Sequence, residues 1–236
     1  MNNQSKSDVT THRIGYREIF AAIWIILALA LLITVTSFLN GVFPFFTFVL
    51  LVVSLVTLLI NRDSSKIGMR PIRWIEFLKF TGLTLAGYLA LMAIFEPWSH
   101  TYQILFNKAV SSVHPDTTFG WLVRFPGLLG WTGFIFYAGS VTLFAEELFF
   151  RGWLLQWLQH RMTKRKAILV QAVLFTLPQL LPAFLLPPIQ GVLYAVIYSW
   201  LAIGLIGGWA ASRTQSIWPS LASAIIYNLI MCIMTI

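Results

Sequence analysis

Charge is what this chain has least of. Only 10% of its 236 residues are ionised, against 58% hydrophobic, with a mean hydropathy of +0.79. A soluble domain cannot cover itself with so few charged groups, so that class is excluded and a multi-pass membrane protein is expected. Cysteine is limited to Cys232, in the last apolar run, which excludes an internal disulfide and leaves a small hydrophobe for packing. Histidine is equally sparse: His12, His100, His114 and His160 all lie outside the apolar runs. Of the acids, only Glu146 and Glu147 lie well inside one. The net charge of +8 raises the question of nucleic acid, but the basic residues punctuate apolar runs instead of lining one face, which argues against it.

The apolar runs predict an all-α bundle of about seven transmembrane helices. Residues 1–18 form a polar N-terminus. The run 19–39 is too long for a signal-peptide core and lacks a small-residue cleavage site, so it reads as an uncleaved first span. A turn at Asn40 and Gly41 leads to spans at 42–60 and 77–95, the latter ended by Glu96-Pro97-Trp98. After the one long loop, Pro126 opens a fourth span running through Glu146 and Glu147 toward Arg151, with an amphipathic tail whose Trp153 and Trp157 suit the interface. The fifth, 167–186, contains Pro178 and Pro182, which predict a kinked or partly unwound helix and allow a re-entrant segment. Spans at 191–210 and 217–236 follow. Residues 19–236 thus read as one membrane domain. A cytoplasmic N-terminus places 14 of the 16 basic residues inside, leaving Lys108 and Arg124 outside, as the positive-inside rule requires of an inner or plasma membrane protein. This orientation puts the Glu pair near the cytoplasmic end of its helix. Gly204, Gly208 and Ser212, four residues apart, predict close approach of another helix.

Glu146 and Glu147 sit among Leu, Phe and Ala, where an ionised group is costly and something must stabilise it. Successive helical positions differ by about 100°, so the two carboxylates face different partners. Residues four apart share a face, and Glu147 therefore pairs with Arg151 in a structural ion pair. Glu146 has no local cation. It is the candidate functional residue, able to activate a water as general base. For Gln179 and Asn228, an interhelical hydrogen bond and a site role both stand open.

These residues resemble a family. Glu146-Glu147-Leu-Phe-Phe-Arg151 is similar to the EExxxR signature of the CPBP (CAAX protease and bacteriocin-processing, or Abi) membrane endopeptidases. Phe175-Thr-Leu-Pro-Gln179 stands where that family has FxxxH, and Ala224-Ile-Ile-Tyr-Asn228, after Trp218-Pro219, where it has HxxxN. Order and spacing agree over about 125–236. The resemblance implies Glu146 as the water-activating base, Glu147 and Arg151 in support, Asn228 facing the developing oxyanion, and zinc held by histidines at the positions of Gln179 and Ala224. Phe175 lines the same site. An amide is a poor zinc ligand and a methyl group is none, so the family's metal site does not assemble here. His160 is on the matching side but roughly 13 Å of helix rise beyond Arg151.

Two functions follow. One is an endopeptidase cleaving peptide, prenylated or bacteriocin-type substrates near the cytoplasmic face of the membrane. The other is a catalytically degenerate member that binds and regulates a membrane partner, such as a sensor kinase or a peptide precursor. A transporter has less support, resting on one buried acid and proline-broken helices. The bilayer is a partner in every case.

Overall fold

The computed structural model describes residues 21, 23–28, 45–61, 68–104, 142–184 and 186–235. The polar N-terminus, most of the first span, the Asn40-Gly41 turn and most of the long loop with Pro126 lie outside them, as do the side chains of Pro182 and Cys232. Among the described residues the fold is all helical, with one isolated antiparallel bridge between Met69 and Ser216. The principal helices are α1 (Phe45–Asn61), α2 (Trp74–Ser99), α3 (142–159), α4 (Lys164–Phe184), α5 (Pro188–Thr214) and α6 (Trp218–Thr235). Two of them, α2 and α5, are long and apolar enough to cross a membrane. On α2 the apolar side chains of Leu83, Ile94 and Trp98 are half or more exposed, as in a helix facing lipid.

Several helix boundaries differ from expectation. The third span runs past Glu96-Pro97-Trp98 to Ser99. Pro97 sits in the last turn, where it removes one backbone donor, and nearby side chains serve the carbonyls of that turn. The Trp98 indole donates to Ile94 at 2.9 Å and the Ser99 hydroxyl to Phe95 at 2.6 Å. His100 then ends the helix in the left-handed region, φ 47°, with its N–H on the Glu96 carbonyl. Helix α4 runs without interruption through Pro178 and Pro182 instead of unwinding. A proline orphans one carbonyl, whereas an unwound turn would orphan several peptide groups in an apolar setting. The helix also starts earlier, at Lys164, because a basic first turn can extend its charged ends into water.

Helices α3 and α5 each change register partway. Residues Glu147–Leu154 and Tyr194–Gly207 have π-helical i→i+5 bonding, not the α-geometry expected. Such insertions are rare and concentrate at functional positions.

A bundle in lipid has little hydrophobic drive between its helices, so close approach and interhelical polar bonds must hold it. The Gly204, Gly208 stripe supplies the approach, against α4. A Cβ on Gly204 would lie 3.1 Å from the Ala172 side chain, and one on Gly208 would lie 2.5 Å from Gln171 Oε1. One cluster of buried side chains joins Phe149, Phe150, Leu154 and Leu158 of α3 to Ala167 and Phe175 of α4. A second joins Tyr88 and Met92 of α2 to Ala202, Ala224 and Tyr227. Trp153, expected at the interface, packs into the first cluster with its ring 5.3 Å from Phe149. Trp157 lies under Arg161, whose guanidinium is 4.3 Å from its ring.

Candidate functional site

Both carboxylates are buried on α3, where the helix passes from α to π bonding, and they turn to different neighbours. Glu147 Oε1 is 2.8 Å from Arg151 Nη1, the pairing that four-residue spacing predicts. Its other oxygen accepts a 2.5 Å bond from the Ser220 hydroxyl at the start of α6. Arg151 is 1% exposed and has further partners. Nη2 donates to the Ile203 carbonyl at 2.7 Å, and the guanidinium lies 4.2 Å from the centre of the Phe175 ring.

The Ile203 carbonyl that Arg151 reaches lies near the end of the π segment, where the Gly208 amide bonds the carbonyls of Gly204 and Leu205 and the helix returns to α bonding. Gly207 leaves room for this, since a Cβ there would lie 3.4 Å from Arg151 Nη2 and 2.8 Å from the Tyr88 hydroxyl.

Glu146 faces α4. Gln179 Nε2 donates to Glu146 Oε1 at 3.1 Å, and Gln179 Oε1 accepts from the Tyr194 hydroxyl of α5 at 3.0 Å. The carboxylate is therefore met by a neutral amide that is itself oriented by a tyrosine. From Lys164 to Gln179 the helix rises about 22 Å, so Gln179 meets Glu146 in the last third of α4, five residues before it ends at Phe184.

Asn228 is engaged elsewhere. Its Oδ1 accepts from the Tyr102 hydroxyl at 2.7 Å and its Nδ2 donates to the Ala224 carbonyl at 2.8 Å. Tyr102 also donates its amide to Glu96 Oε1 at 2.8 Å, while the Tyr198 hydroxyl donates to Glu96 Oε2 at 2.6 Å. The rings of Tyr102 and Tyr198 are 6.3 Å apart, and those of Tyr194 and Tyr198 6.5 Å. Polar and aromatic side chains thus extend from Glu146 to Glu96.

Sequence reasoning singled out Glu146, Glu147, Arg151, Phe175 and Gln179, and the structure brings these five together. It missed Ser220, Tyr194, Tyr102, Tyr198 and Glu96 as their partners. A serine or tyrosine in an apolar run has no local mark of the residue it will meet dozens of positions away. Glu96 had a signal, an acid at a span's end, but was read only as a terminator.

The donor set does not suit a zinc ion. Among the described residues no three His, Cys, Asp or Glu side chains converge. Gln179 spends both ends of its amide on Glu146 and Tyr194, and Ala224 is fully buried among Tyr88, Tyr227 and Met231.

A buried Glu-Glu-Arg constellation on one helix is thus braced by polar groups from three others. Residues 128–230, a little under half of the chain, match the family model described as type II CAAX prenyl endopeptidase Rce1-like, and over this stretch the chain is similar to that family. No curated protein and no solved structure matches the chain.

Proposed function

We propose that this protein uses the CPBP-type site to bind a membrane-embedded peptide, either a lipidated chain end or a segment of a membrane protein, without metal-dependent hydrolysis. The observation that carries the reading is the Gln179 to Glu146 hydrogen bond at 3.1 Å. In the place the resemblance gives to a metal ligand stands an amide that orients the carboxylate but supplies no Lewis acid. Retention of EExxxR is no sign of cleavage in itself, because Glu147 and Arg151 are accounted for by the bonds to Ser220, Ile203 and Phe175 that hold four helices together. Seven crossings, a cytoplasmic N-terminus and residence in the plasma membrane complete the proposal, supported by the apolar runs and the asymmetry of basic residues.

One observation favours a second reading, metal-independent cleavage with Glu146 as general base: its partner is a neutral amide, not a cation. The two readings part in one experiment. Purified protein and its Glu146→Gln variant are analysed for zinc and incubated with a farnesylated CAAX peptide and with a transmembrane peptide. Binding of a peptide without cleavage by either protein is expected. Cleavage that disappears in Glu146→Gln would replace the binding role with an enzymatic one.

A further inference from the structure

Three segments distant in sequence meet at one end of the bundle. Ser216 Oγ donates to the Arg70 carbonyl at 3.0 Å, beside the Met69 bridge to the same residue. Gln215 Nε2 donates to Gln159 Oε1 at 3.1 Å, and Gln159 Nε2 to Ser212 Oγ at 2.9 Å. Gln159 leads directly into the turn that opens α4. These bonds gather Arg70, Arg161, Lys164, Arg165, Lys166 and Arg213 on one rim, and all six are exposed.

The acids among the described residues are Glu76, Glu96, Glu146 and Glu147. Glu76 is paired with Arg73, Glu146 and Glu147 are buried in the site, and Glu96 is at the other end of α2. Among the described residues, then, no carboxylate remains to neutralise the rim. Aromatic groups suited to a membrane interface stand at the same level. Arg161 lies over Trp157, and Trp74, at the start of α2, is 71% exposed. A basic collar with interfacial aromatics, next to lipid-facing helix surface, is complementary to negatively charged phosphodiester headgroups.

We infer that this rim is a binding surface for anionic phospholipid, with Arg70, Arg161, the Lys164-Arg165-Lys166 run and Arg213 contacting headgroup phosphates. The inference rests on residues other than the Glu146 site and stands or falls apart from it. A basic face that is merely solvated would be indifferent to the charge of the lipid.

The test compares full-length protein in vesicles of phosphatidylcholine with protein in phosphatidylcholine mixed with phosphatidylglycerol, following thermal unfolding. The anionic lipid is expected to raise Tm by about 4 °C, and high salt to remove most of the gain. Replacing Lys164, Arg165 and Lys166 together by Gln should remove about half of it without changing Tm in phosphatidylcholine alone. Arg213→Gln, on a different segment, should diminish it too and serves if the triple variant misfolds. Equal Tm in the two lipids, or an undiminished gain in variants that fold, overturns the inference. So does an equal gain from inorganic phosphate added to phosphatidylcholine vesicles, which would assign the rim to free phosphate.

Discussion

Two adjacent carboxylates, one residue apart on the same helix, have become different things. Glu147 has an arginine at 2.8 Å and a serine at 2.5 Å, and its arginine bonds the backbone of α5 and stacks on α4. Glu146 has an amide at 3.1 Å and behind it a tyrosine. The first is a charged junction in which every member depends on the others. The second is a carboxyl group met by a neutral amide and, behind it, a tyrosine, hydrogen bonds that an isostere can largely keep. One half of the motif is thus tied into the packing of four helices, while the other half meets a single amide.

The contrast is broken most severely by Arg151→Ala. That variant leaves a carboxylate buried without its cation at 1% exposure and removes the bond to the Ile203 carbonyl, and should cost about 3–5 kcal/mol. Loss of folded material on size-exclusion chromatography or a large drop in Tm checks it. Gly204→Ala is next. Its new methyl would lie 3.0 Å from the Ser199 carbonyl oxygen and 3.1 Å from the Ala172 side chain, neither of which can swing aside, and pushing α4 from α5 should cost about 1–3 kcal/mol by thermal unfolding in detergent. Ser220→Ala should follow at about 1–3 kcal/mol, since it removes one of the bonds to a buried carboxylate. On the other side, Tyr194→Phe takes a single neutral bond from Gln179 and should cost about 0.5–1.5 kcal/mol. Glu146→Gln should change stability least, under about 1 kcal/mol, because an amide oxygen still accepts from Gln179. Equal losses in Arg151→Ala and Glu146→Gln would erase the distinction between the two halves.

Much of this was legible in the residues. The apolar runs announce a helical membrane bundle, and the four-residue spacing of Glu147 and Arg151 announces their ion pair, because both follow from distances along one chain. Gly204 and Gly208 likewise announce a close helix contact, though not that α4 provides it. The π segments were not legible. Nothing in Tyr194–Gly207 marks an i→i+5 register, which arises where interhelical contacts reward the extra residue. The prolines misled in a consistent direction, since Pro97, Pro178 and Pro182 all stand inside helices. Their cost is set by whether surroundings can serve the freed carbonyls, a property of neighbours and not of the proline itself.

By itself, then, the sequence determined the class of protein, the helix that carries the acids, and the local partner of Glu147. Those depend on composition and on spacing within one helix, which are one-dimensional quantities. Only the tertiary structure decided that Glu146 meets Gln179 and Gln179 meets Tyr194, that Arg151 bonds the carbonyl of Ile203, and that Asn228 turns to Tyr102. These bonds join residues tens to more than a hundred positions apart. Their partners are chosen by how the helices pack, because a polar group in an apolar bundle must find its complement wherever the packing brings one within reach.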